Sequence, residues 1–402
     1  MKTLLFVGGG RHQRRGILRA RELGHRVVAV DRLPDGPGML AADVAEAVDF
    51  SDAGGVIEVA RRHGVDGAMT VSSDRAVPVV AAVADALGLP GIGIDVAHAM
   101  THKVVMRRLF ADHGVPQPRF AAVHGLHDAR LAAETVGFPA VLKPANSSGQ
   151  RGLFRLESSD DLDAHLHAAL AESPTREAIL EEFADGLELN GIAVVRDGEM
   201  ALLTLSDRLR PQGPGFGVAW SHVYPTTLYG DALAETERVA AHSVRALGLE
   251  NGIAYPQLLA KASGEVVAVE VAARIPGGQM ADVVREGTGV ELLDIAILQA
   301  FGEPVPDALV TPSRSQPLAI RFLTAEPGPL HAGTVKSVAG LEWVLAFPGV
   351  VQAEVYLTVG ETIRPVRIDA DRGGYVLAIG ETSLEALDHA EAAALLFDVE
   401  VE

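Results

Sequence analysis

Short apolar runs alternate with longer amphipathic runs through the first hundred residues of the chain. The runs TLLFVGG, HRVVAVD and VDGAMTVSS have the length and composition of buried strands, whereas RRGILRARELG and GVIEVARRHG repeat their apolar residues at helical spacing. Strands that alternate with helices in this way pair in parallel, because each helix crosses the sheet before the next strand starts. The pattern therefore predicts a parallel α/β domain at the start of the chain.

From about residue 100 the pattern changes to hairpins mixed with helices. THKVVMRRLFADHG predicts a helix that Gly114 and Pro116 end, and DARLAAETVG predicts a helix that ends at Gly137. Further predicted elements are a strand over 141–143, a helix over 159–171, a strand in EAILEEF, two strands over 186–206 around the turn RDGE, and a helix over 231–247. Residues 207–219, rich in Gly and Pro, predict a mobile loop or lid. The remaining chain is strand-rich with a helix over 383–396, and predicts a small α+β cap.

The run VVAVEVAARIPGG, residues 266–278, places two charges inside an apolar strand. Strict alternation would put five residues on one face: Val266, Ala268, Glu270, Ala272 and Arg274. A buried charge needs a partner, a metal or a ligand. Two readings stay open from this stretch alone: Glu270 and Arg274 pair with each other, or they serve a ligand.

A hairpin turn at 262–264 would place Gln257 opposite residues 268–270, so Gln257 and Glu270 could face one site. Pro256 predicts an edge strand or a bulge there. An oxygen-rich pair of this kind suits Mg²⁺, which takes one or two protein ligands and completes its shell with water and phosphate oxygens.

The run VLKPANSSGQRG leads from a strand ending at Lys143 into a loop of small residues, Ser147, Ser148, Gly149 and Gly152. Small residues let backbone N–H groups approach phosphate oxygens, and a lysine adds a point charge. The run lacks the lysine that follows the second glycine of a Walker loop, so a purely structural turn is the alternative. Taken singly, Lys103 reads as a solvated lysine and Glu188 as an exposed carboxylate, although Glu188 could accept hydrogen bonds from a ribose diol.

Composition narrows the functions further. The chain of 402 residues is long enough for two or three domains, and its lack of cysteine excludes disulfides, thiolate zinc sites and a cysteine nucleophile. A net charge of −19 argues against general binding to nucleic acid or anionic membranes. We expect no signal peptide and no membrane span. GGGRHQRRG lacks the third glycine of a dinucleotide fingerprint, which argues against NAD with Asp31 on the ribose.

The order of these pieces resembles the ATP-grasp superfamily over essentially the whole chain. The pieces are Lys103, the Lys143 strand with its Ser/Gly loop, EEFADG with Glu188, and the segment from Glu270 to Gly278. The stretches ARIPGGQMADVVREGTGVELLDIAILQAFG and RGGYVLAIGETSLEALDHA are most similar to carboxylate–amine ligases of the L-amino-acid ligase type, with biotin carboxylase a more distant relative.

The resemblance implies an ATP-grasp fold of mixed α/β and α+β class. It divides the chain into a Rossmann-like preATP-grasp domain (1–95), an N-terminal grasp subdomain or lid (96–185), a C-terminal grasp subdomain (186–315) and an α+β cap (316–402). It also implies a homodimer, with ATP and Mg²⁺ as cofactors. Its implied partners are a small carboxylate and an amine. We expect a cytoplasmic protein, because the lack of cysteine is compatible with a reducing cytosol.

The resemblance also implies roles for individual residues. The nucleotide-binding set is Lys103, Lys143, Ser147, Ser148, Gly149, Gly152, Glu181, Phe183 and Glu188, with Glu181 and Phe183 meeting adenine largely through backbone groups. Glu270 and Gln257 would hold Mg²⁺, and Arg274 with Lys143 would be catalytic. The substrate-binding set is His222, Arg274, Gly277 and Gly278.

One position departs from the superfamily pattern Glu-x-Asn-x-Arg, because Ala272 stands where relatives carry asparagine. The departure puts a second Mg²⁺ in doubt. The sequence hypothesis is an ATP-dependent ligase that forms an amide or dipeptide through an acyl phosphate. The alternatives are a bicarbonate-activating carboxylase of the biotin or aminoimidazole ribonucleotide type, and a nucleotide-binding module that has lost catalysis, in which asparagine at position 272 would restore activity.

Overall fold

The computed structural model describes residues 1–211 and 217–402. The first part of the chain contains β1 (Thr3–Val7), α1 (Arg11–Glu22), β2 (Arg26–Asp31), β3 (Val44–Ala47), α2 (Ala53–His63), β4 (Gly67–Met69), α3 (Val77–Leu87) and α4 (Ile94–Ala99). The four strands form a parallel sheet in the order β3-β2-β1-β4. The predicted parallel α/β unit is confirmed. Asp31 accepts hydrogen bonds from the Gly9 and Leu33 N–H groups at 2.8 and 3.3 Å, so its carboxylate holds the turns beside β2.

The next part forms an antiparallel sheet of four strands covered by helices. Its elements are α5 (Lys103–Asp112), β5 (Phe120–Val123), α6 (Leu126–Val136), β6 (Ala140–Pro144), β7 (Phe154–Leu156), α7 (Ser159–Ala171) and β8 (Ala178–Glu182). The strand order is β5-β8-β6-β7. The predicted helix ends are confirmed: α5 ends just before Gly114, and α6 ends at Gly137. Both glycines adopt positive φ angles, +68° and +79°, which glycine reaches without steric cost.

The remaining elements build a large antiparallel sheet and a small one. They are β9 (Leu187–Arg196), β10 (Glu199–Leu209), β11 (Ser221–Tyr224), α8 (Gly230–Ala246), β12 (Gly252–Ala260), β13 (Val266–Ala272), α9 (Met280–Thr288), α10 (Leu292–Ala300), α11 (Asp307–Val310), β14 (Leu318–Leu323), β15 (Gly333–Ala339), α12 (Leu341–Leu345), β16 (Val350–Val355), β17 (Thr362–Ile363), β18 (Gly374–Ile379), α13 (Ser383–Ala394) and β19 (Asp398–Val401). The eight-stranded sheet runs β13-β12-β9-β10-β11-β14-β18-β16, and the three-stranded sheet runs β17-β15-β19. The C-terminal strands therefore divide between the large sheet and the small one.

Two ion-pair groups fasten the first helix to the rest of the molecule. Arg19 on α1 donates to both carboxylate oxygens of Asp294, at 2.6 and 2.8 Å. Arg15, one turn earlier, pairs with Asp282 and Glu291. Because α1 begins directly after the loop that follows β1, these contacts fix the start of α1 beside the large sheet.

The structure corrects the predicted faces of β13. Gln257 pairs with Glu270 as expected, but Leu258 pairs with Ala268, so Val269 is an extra residue in a β-bulge. Val266, Ala268 and Val271 consequently pack into one buried cluster, whereas Ala272 packs into another. Glu270 therefore does not share a face with Val266 and Ala268, because the bulge reverses the alternation. Of the two alternatives predicted at Pro256, the structure confirms the bulge and not the edge strand, since β12 lies between β9 and β13.

The predicted lid over 207–219 is wrong at its start. Asp207, Arg208 and Leu209 continue β10, where they pair with β11. Residues 212–216 lie outside the described part of the chain. The domain boundaries stay predictions.

Candidate functional site

A cavity of about 1160 Å³ opens where the sheets meet, and most of the predicted site residues line it. The small-residue loop after β6, the ends of β8 and β12, and the segment after β13 form one part of its wall. Arg11 and His12 at the start of α1, residues 356–372, and residues of the large sheet such as Glu188, Arg208 and His222 form other parts. Regions that are distant in sequence thus meet around one space.

Glu270 and Arg274 do not pair with each other. The Glu270 carboxylate lies 3.1 Å from the Lys103 ammonium, which also donates to the Ser147 carbonyl at 2.9 Å. Arg274 donates through Nε and Nη2 to the two oxygens of Asp74, each at 2.6 Å. Burial alone would lower the pKa of Arg274, but Asp74 outweighs it and raises that pKa. The Nη1 group of Arg274 is buried and has no hydrogen-bond partner among the described residues. Glu270 and Arg274 therefore have separate partners, and the Nη1 group of Arg274 remains able to donate to a ligand.

Lys143 ends β6 in a buried cluster of charges. Its ammonium lies 2.7 Å from Glu181, and Glu181 also accepts a hydrogen bond from Arg107 Nε at 2.8 Å. Burial opposes the charged carboxylate, but Arg107 and Lys143 more than compensate and lower the pKa of Glu181 to about 2. Burial lowers the pKa of Lys143, and Glu181 partly offsets that effect. The predicted phosphate lysine is therefore already held by a carboxylate.

The small-residue loop has the backbone shape that the phosphate interpretation needs. Gly149 and Gly152 have φ angles of +70° and +68°, and a side chain at Gly152 would meet Pro144 at 2.9 Å. Ser147 Oγ is buried and has no partner among the described residues. Arg151 donates to the Ser148 carbonyl at 3.1 Å, which closes the loop on itself. Glycine follows this path at Gly149 and Gly152 without steric cost, so the loop can present N–H groups to an anion.

Glu188, predicted at the ribose, lies in the cavity wall but is held by two arginines. Arg208 and Arg210 both donate to its carboxylate at short range. Sequence reasoning placed both arginines in a loop and missed this contact. Phe183 also lies in the wall, where the Arg155 guanidinium stacks 4.1 Å from its ring centre. The Phe183 N–H donates to the Pro139 carbonyl at 3.1 Å.

His222 lies on β11 in a buried polar chain. Its Nδ1 is 2.8 Å from the Asn190 amide nitrogen, and the Asn190 amide oxygen accepts a hydrogen bond from the Tyr255 hydroxyl at 2.7 Å. Burial, with Arg208 and Arg372 nearby, lowers the pKa of His222 well below 6.5. His222 is therefore a neutral hydrogen-bonding group facing the cavity. Gly277 and Gly278 line the same region, and Gly278 adopts a φ of +65° against Phe322 and Arg372.

Several residues in the cavity wall or behind it escaped sequence reasoning. Arg107 lies four residues after Lys103, one helical turn along α5, and that spacing was a usable signal. Asp74 lies two hundred residues before its partner Arg274, so no local pattern joins them. Arg372 stacks on Phe322 at 4.0 Å and pairs with Asp369, but both come from the C-terminal region and carry no motif.

Ala272 is 2% exposed and packs in a buried apolar cluster with Tyr255, its partner across the hairpin. An asparagine there would put an amide into this cluster. In the part of the chain that the structure describes, no group of three His, Cys, Asp or Glu residues could hold a metal. Glu270 with Gln257 opposite fits Mg²⁺ only where other ligands, such as phosphate oxygens, complete the shell.

Family comparisons cover most of the chain. The model for the carbamoyl-phosphate synthase L chain, ATP binding domain, matches residues 102–308. The ATP-grasp N-terminal domain model matches residues 18–91, and the model for L-amino acid ligase C-terminal domain 2 matches residues 321–402. The three models confirm the resemblance to the ATP-grasp superfamily and to L-amino-acid ligases that the sequence indicated.

Individual relatives are named for different activities. The chain is 28% identical over 406 residues to a formate-dependent phosphoribosylglycinamide formyltransferase of Synechococcus sp. (strain RCC307), with 99% of this chain and 98% of that protein covered. It is 26% identical over 271 residues to the alanine–anticapsin ligase of Bacillus subtilis, covering 62% and 57%. The L-amino acid ligase structure from Bacillus licheniformis superposes with a TM-score of 0.85 at 21% identity over 100% of this chain and 99% of that one, which shows a shared fold. No helix among the described residues has the length and apolar character needed to cross a membrane.

Proposed function

Because the chain belongs to the ATP-grasp superfamily, we propose that it is a carboxylate–amine ligase that uses ATP to join an amino acid or another small carboxylic acid to an amine. The products are an amide or dipeptide, ADP and phosphate. The observation that carries the proposal is the Arg274 guanidinium in the cavity wall: two of its nitrogens are fixed by Asp74, and the third, Nη1, is buried without a hydrogen-bond partner among the described residues. A rigid guanidinium with a spare donor suits an anion that gains charge during reaction.

In the first step a substrate carboxylate oxygen attacks the γ-phosphorus of ATP, and the bond to the β-phosphate oxygen breaks as ADP leaves. Lys103 and Lys143 bind the phosphates, and the loop from Ser147 to Gly152 covers them with backbone N–H groups. Arg274 Nη1 donates to the transferring group. Glu270 and Gln257 would hold Mg²⁺, which neutralises phosphate charge when bound.

In the second step the amine attacks the acyl carbon, and the carbon–oxygen bond to phosphate breaks. The departing phosphate can take up the proton that the nitrogen loses. Residues Arg11, His12, Tyr356 and Arg372, at the other part of the cavity wall, are placed to orient the substrates. His222 supplies a neutral hydrogen bond there rather than a positive charge.

Phosphate release from MgATP tests the proposal. The protein is incubated with amino acids singly and in pairs, with bicarbonate, with formate plus phosphoribosylglycinamide, and with no substrate. We expect release that requires a carboxylate and an amine together, with a new amide in the products by mass spectrometry. Tight MgATP binding with no release in any mixture would favour the catalytically lapsed module and contradict the ligase.

Two arms of that assay separate substrate classes. Formate is included because the Synechococcus relative that matches the full chain is named for formate and phosphoribosylglycinamide. Bicarbonate is included because solved N5-carboxyaminoimidazole ribonucleotide synthetases share the fold, with a TM-score of 0.77 for the one from Thermotoga maritima. ADP release that needs bicarbonate and no amino acid would replace the ligase by a carboxylase.

We also propose that the protein acts as a homodimer in the cytoplasm. Three exposed apolar side chains on α12 support an interface: Leu341, Trp343 and Leu345 are 38%, 56% and 49% exposed. The absence of cysteine is compatible with a reducing compartment. Sedimentation at micromolar concentration measures the oligomeric state directly.

A further inference from the structure

Helix α5 touches both halves of the proposed nucleotide site through one face. Lys103 contacts Glu270, Met106 Sδ lies 3.4 Å from the Val271 N–H nitrogen, and Arg107 reaches Glu181. Residues three and four apart lie on the same side of a helix, so this face turns toward both the eight-stranded sheet and the four-stranded sheet β5-β8-β6-β7.

Arg107 makes the widest connection. It is 1% exposed, and its guanidinium donates to three acceptors: Glu181 Oε1 at 2.8 Å, the Ala268 carbonyl at 2.7 Å and the Val269 carbonyl at 2.8 Å. Glu181 belongs to β8 in the four-stranded sheet, whereas Ala268 and Val269 belong to β13 in the eight-stranded sheet. One buried side chain therefore bridges two sheets.

The bulge in β13 explains why an arginine is needed there. Strand β13 is an edge of the large sheet, and its extra residue Val269 has no partner across the hairpin. Unpaired carbonyl groups at a buried edge cost free energy. Arg107 satisfies the Ala268 and Val269 carbonyls, and the Pro116 carbonyl accepts the Ala268 N–H at 2.8 Å. The bulge is thereby fixed one residue before Glu270.

Arg107 also affects the ion pair of Lys143, because both cations contact Glu181. Glu181 is shared between Arg107 and Lys143, and all three groups are buried. With Arg107 present, the carboxylate is balanced by two cations. Without Arg107, Glu181 would attract Lys143 alone, and in a low-dielectric interior that attraction would compete with a phosphate for the lysine.

We infer that Arg107 is a positioning residue of the nucleotide site: it keeps Lys143 available to phosphate and fixes the bulge that aims Glu270. Arg107 lies outside the cavity wall and acts through Glu181 and the β13 backbone. The inference rests on the proposed nucleotide function of Lys143 and Glu270.

A double-mutant cycle on MgATP binding, measured by isothermal titration calorimetry, tests the inference. We expect Arg107→Met to weaken MgATP binding at least about tenfold in the wild-type background and by a clearly smaller factor in the Glu181→Gln background, because the competing carboxylate is then absent and only the loss of the Ala268 and Val269 contacts remains. Arg107→Lys keeps the charge but cannot donate to three acceptors, so its affinity should lie between those of wild type and Arg107→Met.

Arg119→Met is the matched control. It also removes an arginine that pairs with a β8 carboxylate, but the Arg119–Glu182 pair is exposed, and MgATP affinity should stay within about twofold of wild type. Circular dichroism and thermal unfolding check that each variant is folded. Equal weakening by Arg107→Met in both backgrounds would overturn the effect on Lys143 through Glu181, and an unchanged affinity would overturn the positioning role as a whole. Wild-type protein that binds no MgATP would instead overturn the proposed function, and this inference with it.

Discussion

At the scale of single residues, the site is a set of buried charges that each have a specific partner. Lys103 has Glu270, Lys143 has Glu181, and Arg274 has Asp74. A buried ion pair contributes little net stability, because the loss of hydration nearly cancels the attraction. Its value here is geometric: each cation is held in one position, and the buried Nη1 group of Arg274 has no hydrogen-bond partner among the described residues.

Removal of Arg274 tests this geometry. We expect Arg274→Ala to lower kcat by about 10²–10³-fold, since the lost donor acts on charge that develops in the transition state. The dissociation constant for MgATP should stay within about threefold of wild type, because the other phosphate contacts remain. Phosphate-release kinetics and calorimetry measure the two quantities.

Two further variants control for stability in that experiment. Arg274→Ala leaves Asp74 buried without its cation, so Asp74→Asn combined with Arg274→Ala removes the unpaired charge. Arg274→Lys keeps the positive charge but lacks the planar guanidinium that donates to both Asp74 oxygens. Wild-type turnover in folded Arg274→Ala would exclude Arg274 from the reaction.

At the scale of elements, the hairpin of β12 and β13 shows what the sequence could and could not predict. The two strands, their turn and the Gln257–Glu270 pair follow from alternation and turn residues, and the structure confirms them. The faces of β13 were predicted wrongly, because the extra residue Val269 leaves no mark in an apolar run. The bulge in β13 depends on the neighbouring strand β12 and on contacts from α5, and neither is part of the β13 sequence itself.

The hairpin also predicts how the protein responds to Mg²⁺. Gln257→Glu would place a second carboxylate opposite Glu270, and added ligand charge strengthens binding of a hard cation. We expect the free Mg²⁺ concentration for half-maximal phosphate release to fall by about threefold. Gln352→Glu makes the same charge change on β16, at the far edge of the same sheet, and should leave that concentration unchanged. An identical shift in both variants would remove Gln257 from the metal site.

At the scale of the whole molecule, stability should depend on pH through buried histidines. Burial lowers the pKa of His102 and His222 below the ordinary value of 6.5. The folded protein keeps these rings neutral, whereas the unfolded chain binds protons as the pH falls through 6.5. Their contribution to stability is therefore present above pH 6.5 and is lost as the pH falls below it.

Urea denaturation between pH 7.5 and 5.5 measures this loss. We expect the free energy of unfolding to fall on acidification, by up to about 1.4 kcal/mol per pH unit for each of these histidines that stays neutral in the folded state. His222→Gln removes one titrating group, so the slope should decrease by up to one proton. An unchanged slope in that variant would mean that His222 is protonated in the folded protein.

The site as a whole was only partly predictable. The motifs from Lys103 to Gly278 could be found in the sequence, because each lies on a short run of defined spacing. Asp74, Arg208 and Arg372 could not, because the folding of distant segments brings them to the cavity. The arrangement of the C-terminal strands was equally hidden, since β14, β16 and β18 extend the large sheet while β15, β17 and β19 form another.

The composite wall of the cavity has an evolutionary consequence. The residues proposed for ATP lie between 103 and 278, whereas Arg11, His12 and residues 356–372 enclose the other part of the space. The two sets touch, since the Asp369 N–H donates to the Gly149 carbonyl at 3.3 Å and Gly278 lies against Arg372. Substitutions in one set therefore also affect the other, and we expect the two parts of the wall to evolve together.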